Sequence, residues 1–224
     1  MRNDVVGKAS SKTKKSLARR RRQATSPPSR SPIDRMGSSL LFSRGEEVFR
    51  SGQASRHIYQ VESGCIRTYA NQSDGRRLIL AFYFPGDYFG LEMRKTHRIS
   101  AEATTPSSVR RFATKALALR AATDGAVARH MMHITNVELQ RAQNHSLLLR
   151  NYSDERVGDF LFEMRQRNRR KVVDLLMSRQ DIADYLNLSL ETVSRTFTRL
   201  EKIAAISLLT PQRVAVNFHK PLSA

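Results

Sequence analysis

Cysteine is nearly absent from this chain of 224 residues, Cys65 being the only one. One thiol excludes an intrachain disulfide framework and any zinc or iron–sulfur site built from the cysteines of a single chain, and it fits a reducing, cytoplasmic compartment. Long apolar runs are missing too. The longest, Leu78 to Phe84, has seven residues, against the roughly 18 that a membrane-spanning helix requires. The basic cluster Arg19 to Arg22 leads into QATSPPSRSP and not into an apolar segment, so a signal peptide is not expected. Acidic side chains are scarce: 20 Asp and Glu face 39 Lys and Arg, for a formal net charge of +19. Such a surplus points to a polyanionic partner such as nucleic acid or an anionic membrane. No HExxH, phosphate-cradling glycine loop, nucleophile motif or paired carboxylate spacing is present, so no enzyme is expected. Nor is a cofactor or metal site: His130 and His133 lie one helical turn apart without further ligands.

What is present divides into four pieces. Residues 1–35 hold 11 basic and two acidic side chains and three of the seven prolines, without apolar periodicity, which predicts a disordered basic tail. Residues 36–123 alternate short β-prone runs with glycine: Ile58 to Val61, Ile66 to Tyr69 and Leu78 to Phe84, with Asp74-Gly75 as a hairpin signal. These predict a small all-β roll. Residues 124–150 predict one long helix of roughly 40 Å, with Val127, Met131, Ile134, Val137 and Leu148 as its apolar stripe. That stripe packs either on the roll or on the same stripe of a second copy, and the expectation is a homodimer paired there. Glu138 and Arg141 interrupt the seam.

Residues 151–224 have a third composition. Val157, Phe160, Leu161 and Met164 define an amphipathic helix, Ser178-Arg179-Gln180-Asp181 is a capping box, and the helix it starts runs to Leu186. Asn187-Leu188-Ser189 forms a turn, with Ser189 placed to cap the next helix. Ile206 to Leu209 and Val214 to Phe218 then read as a β-hairpin around Thr210 to Arg213. Helix, turn, helix and hairpin make a winged helix-turn-helix, and the whole chain is of the α+β class. On the second helix Glu191, Ser194, Arg195 and Thr198 fall on one side, and Val193, Phe197 and Leu200 on the other. In the major groove, Glu191 can accept from a cytosine amino group, Arg195 can donate to guanine O6 and N7, and Ser194 can bond either way. Arg179, Gln180, Thr192, Thr198 and Arg199 are the candidate phosphate contacts.

MSRQDIADYLNLSLETVSRTFTRLEK, residues 177–202, resembles the signature of the CRP/FNR family of bacterial transcription regulators, its FixK-like members in particular. GCIRTY, DGRRLI, FYFPGDYFG and HRISAEA resemble that family's jelly-roll β-domain, and LQRAQNHSLLLRNYSDERVGDFLFEM its dimer helix and the start of its DNA-binding domain. The resemblance covers roughly residues 40 to 218. It implies a homodimer on palindromic double-stranded promoter DNA of the TTGAT…ATCAA type, read by Glu191, Ser194 and Arg195. It also implies RNA polymerase as a partner and control of low-oxygen respiration or nitrogen fixation. The stretch GLEMRKTHRISAEA departs from the cyclic-nucleotide cassette of the family, with Leu91 between Gly90 and Glu92 and Ile99 between Arg98 and Ser100. Arg94, Lys95, His97 and Arg98 therefore read as an exposed basic loop, or as a site for some other small anion or nucleotide. Cys65 reads as a packed hydrophobe before a redox switch.

Overall fold

A computed structural model describes residues 31–92 and 94–223. The tail expected over residues 1–35 thus lies outside the described residues up to residue 30, and its last residues belong to the folded unit. Ile33 is fully buried, and Asp34–Met36 form a short 3-10 turn.

Eight strands build the roll: β1 (Ser38–Phe42), β2 (Glu47–Phe49), β3 (His57–Ser63), β4 (Ile66–Asn71), β5 (Arg77–Tyr83), β6 (Tyr88–Phe89), β7 (Ser100–Ala103) and β8 (Ser107–Ala113). They pair antiparallel into two four-stranded sheets, β1-β8-β3-β6 and β2-β7-β4-β5. Alternation along β3, β4 and β5 points Tyr59, Val61, Ile66 and Ala81 to the inside, where they meet Phe49, Tyr83, Phe89 and Val109. The Asp74-Gly75 hairpin joins β4 to β5 as expected, with Gly75 at φ 82°. Helix α1 (Thr114–Thr123) follows β8, an element that the weak apolar periodicity of KALALRAAT does not announce.

Helix α2 (Gly125–Leu148) starts where the Asp124 carboxylate accepts from the backbone N–H groups of Ala126 (3.0 Å) and Val127 (3.4 Å). The stripe expected to meet a second copy is largely taken up by the chain itself. Val127 and Ile134 are buried with Ile33, Ile58, Tyr88, Phe112 and Leu117, and Met131 packs at their edge. Glu138 and Arg141, the two charged residues within the stripe, lie on this same face. Glu138 accepts from the Tyr83 hydroxyl at 2.6 Å, and Arg141 donates to Phe82 O at 2.8 Å and pairs with Asp87 at 2.9 Å. Leu148 is partly buried against the C-terminal core, and only Val137 of the stripe is exposed. Along Val127, Met131 and Ile134 the occupant of this face is the roll with α1.

The C-terminal part holds α3 (Ser153–Asn168), β9 (Val172–Asp174), α4 (Arg179–Leu186), α5 (Leu190–Lys202), β10 (Ile206–Thr210) and β11 (Arg213–Val216). The expected wing hairpin is a three-stranded sheet, β10-β11-β9, because Val172 to Asp174 pair with Ala215 to Arg213. Val157, Phe160, Leu161 and Met164 of α3 join Ile182, Leu186, Val193, Phe197 and Leu200 in one core, which also takes in Cys65, Ile79 and Phe82 of the roll.

Candidate DNA interface

The turn between α4 and α5 is built as its residues dictate. Asp181 N–H donates to Ser178 Oγ and Ser178 N–H to Asp181 Oδ2, each at 3.0 Å, which closes the capping box. Asn187 ends α4 in the left-handed conformation at φ 51°. Ser189 Oγ then accepts from Thr192 N–H at 3.0 Å and starts α5. Helix α5 buries Val193, Thr196, Phe197 and Leu200, and Thr196 donates to Asp154 Oδ1 on α3 at 2.9 Å. Sequence reasoning passed over Thr196 because a threonine carries no apolar signal.

The opposite face of α5 is open. Glu191 and Arg195 are exposed and form an ion pair one turn apart, with Ser194 exposed beside them. Such a solvated pair contributes roughly 0.3–0.5 kcal/mol, less than the roughly 1–3 kcal/mol of a good base contact, so Arg195 can exchange Glu191 for a base edge. Thr198 is exposed on the same side and donates to Ser194 O at 3.2 Å. Leu190, at the first position of α5, is 44% exposed. Its place beside Glu191 was readable from the periodicity.

The expected phosphate contacts are held less freely. Arg199 pairs with Asp154, Gln180 Nε2 donates to Asp184 Oδ1 at 2.6 Å, and the Thr192 and Ser189 hydroxyls lie 2.8 Å apart. Arg179 lies over the Phe197 ring at 3.2 Å, with Nη2 donating to Pro211 O of the wing turn at 3.3 Å. Among the described residues its Nη1 has no hydrogen-bond partner, and desolvation pulls the guanidinium down to about 10. An anion arriving between α4 and the wing would satisfy that donor.

The cassette loop differs from expectation at one residue. Arg94, Lys95 and Arg98 are exposed, but His97 is buried, stacked 3.7 Å from Phe49. Its Nδ1 lies 3.5 Å from Glu92 Oε2, and that same oxygen accepts from Arg98 N–H at 3.0 Å. Phe49 continues into an aromatic cluster with Tyr59, Phe89 and Tyr83 in the roll interior. Cys65 is fully buried, and burial pushes its thiol up to about 12, so it is an inert packing group here. Among the described residues no helix is long and apolar enough to cross a membrane.

Residues 40–122 match the cyclic nucleotide-binding domain, and residues 175–204 match the crp family of bacterial regulatory proteins. The nitrogen fixation regulation protein FixK of Azorhizobium caulinodans is 44% identical over 189 residues, covering 81% of this chain and 76% of that protein. The chain belongs to the CRP/FNR family. Another CRP/FNR relative, the transcriptional activator protein Anr of Pseudomonas protegens, is 33% identical over 71% of this chain and 68% of its own length. The solved structure of FixK2 from Bradyrhizobium japonicum superposes with a TM-score of 0.78 at 38% identity, over 81% of this chain and 93% of that one. CRP/FNR proteins are transcription regulators that bind promoter DNA and act as dimers.

Proposed function

We propose that this CRP/FNR regulator is an activator that binds TTGAT…ATCAA inverted repeats as a homodimer, works with RNA polymerase, and controls genes of low-oxygen respiration or nitrogen fixation. The observation that carries the reading is the exposed Glu191, Ser194 and Arg195 face of a helix whose other face is buried. Leu190 adds an apolar group suited to a thymine methyl. Arg179 would swing from Phe197, and Arg199 from Asp154, to the flanking phosphates. The FixK relatives support the physiological part, since their names tie them to nitrogen fixation.

The face of α2 turned away from the roll supplies a dimer seam. Gly125, Ala128, Met132, Thr135, Leu139, Ala142 and Ser146 recur at alternating three- and four-residue steps, all uncharged, with Met132 67% and Leu139 56% exposed. Such spacing is that of a coiled-coil seam. We assign pairing to this face and not to the buried Val127, Met131 and Ile134.

A second reading, in which the roll senses a nucleotide or small anion, draws on the match to cyclic nucleotide-binding domains. The packed aromatic cluster of Phe49, His97, Tyr59, Phe89 and Tyr83 and the engaged Glu92 carboxylate weigh against it. Fluorescence-anisotropy titration of the untreated protein against a TTGAT…ATCAA duplex and a scrambled one, at two salt concentrations, tests the proposal. Preference for the palindrome without added ligand is expected; equal and steeply salt-dependent binding would mean that only phosphate charge is read.

A further inference from the structure

The winged unit is fastened to its own roll by a buried charge cluster that neither the base-reading face nor the dimer seam requires. Arg67 on β4 donates through Nη1 to Asp181 Oδ1 at 2.5 Å and through Nη2 to Glu102 Oε1 at 2.8 Å. Arg77, which opens β5, reaches the same Asp181 oxygen at 2.7 Å and bonds Asp184 Oδ2 through Nε (3.0 Å) and Nη2 (2.8 Å). The other oxygen of Asp181 caps α4. One carboxylate therefore closes the first helix of the helix-turn-helix and receives two arginines from the roll. The Asp181 side chain is 5% exposed and that of Arg67 12%. Ionic groups so far out of water contribute little net stability, but they penalise strongly any arrangement that separates them. Their effect is to select one orientation of α4 on the roll.

Each further attachment is also fixed. The roll is seated on α2 by Val127 and Ile134, by Glu138 and Tyr83, and by Arg141 and Asp87. Helix α4 packs on α5 through the shared core. Without the cluster, the winged unit would keep its Leu149 to Tyr152 link to α2, the apolar surface and the contacts of His145 with Tyr185 O (2.8 Å), Thr104 with Leu176 O (2.7 Å) and Arg167 with Asp87 (3.0 Å), but α4 would lose the charged bonds that hold its angle on β4 and β5.

We propose that Arg67 and Arg77, acting through Asp181 and Asp184, are positioning residues that fix the separation and angle of the two recognition helices in the dimer, so that the roll sets which half-site spacing is bound. This rests on the reading of a dimer on an inverted repeat. One base pair more or less between half-sites moves them apart by about 3.4 Å and turns one against the other by roughly 35°. A rigidly oriented pair of helices rejects that change, whereas a loosely oriented pair follows it.

The test measures the affinity of wild type, Arg77→Ala, the double variant Arg67→Ala/Arg77→Ala and the conservative Arg77→Lys for duplexes whose spacer is normal, one base pair shorter or one longer, with a scrambled duplex as reference. Melting temperature and mass are recorded for each; Arg77→Ala, at a position 26% exposed, serves if the double variant does not fold. Wild type is expected to lose at least about tenfold on the altered spacers, the alanine variants to narrow that difference to about threefold or less, and Arg77→Lys to recover most of it. A variant with the wild-type spacing profile, or an equal loss on all three spacers, would overturn the proposal, because the cluster would then serve only the fold. A wild type that does not distinguish the normal duplex from the scrambled one would overturn the underlying reading and this inference with it.

Discussion

Helices α2 and α5 are both amphipathic, and they use that property in opposite ways. Helix α5 hides one face and leaves the other to a charged, hydroxyl-bearing surface that none of the described residues covers. Helix α2 has two usable faces: one carries Val127, Ile134, Glu138 and Arg141 onto the roll, and the other is an uncharged strip with Met132 and Leu139 in solvent. Periodicity shows where a face is. What occupies the face is decided by tertiary structure.

The comparison breaks most readily at the seam. A charge set into the bare strip, Leu139→Arg, is expected to convert the dimer to monomer in sedimentation velocity and to abolish preference for the palindrome. Retention of the dimer would move the seam elsewhere. On the roll-facing side Ile134→Ala is expected to lower unfolding stability by about 2–5 kcal/mol while the native species keeps its mass, as denaturant melts with sedimentation would show.

A smaller effect separates the two helices by pH. His130 and His145 on α2, with His57 and His97 of the roll, are all held below the usual imidazole range, in each case first by burial. His145 stacks on Tyr185 at 4.1 Å, and its Nε2 lies 2.8 Å from Tyr185 O. Because the folded values lie below the unfolded ones, the unfolded chain binds protons first as pH falls below about 6.5, and folded stability declines from there downward. Melting temperatures taken between about pH 7 and pH 5 should fall, and less steeply for His145→Gln; an unchanged slope would remove His145 from the account. Helix α5 carries no histidine.

The smallest expected change lies just past α5. Ala204 adopts φ 54° and Asn187 φ 51°. Alanine is strained there while asparagine tolerates it, so Ala204→Gly should stabilise by about 0.5–1 kcal/mol, read as a higher denaturant midpoint at unchanged slope.

The helix-turn-helix was legible residue by residue because its signals are local: the Ser178 to Asp181 box, Asn187 in the turn, the Ser189 cap and the sorting of α5 into two faces. The roll was legible from β-prone runs and the Asp74-Gly75 turn. Long-range partners were not. Arg67 and Arg77 look like ordinary strand arginines, and Asp181 like a cap, until β4, β5 and α4 are brought together. His97 sits among exposed basic residues in sequence and under Phe49 in space. Arg179 looks like a solvent-facing N-terminal helix residue, yet it is desolvated over Phe197.

The most direct test of base reading by α5 is a set of single base-pair changes across one half-site, with affinities measured for wild type and for Arg195→Ala. The account predicts that Arg195→Ala loses discrimination at one G·C pair, by roughly 1–3 kcal/mol, and keeps the wild-type pattern at the other positions. A uniform loss across all sequences, scrambled DNA included, would contradict it, since Arg195 would then be meeting phosphate and not a base.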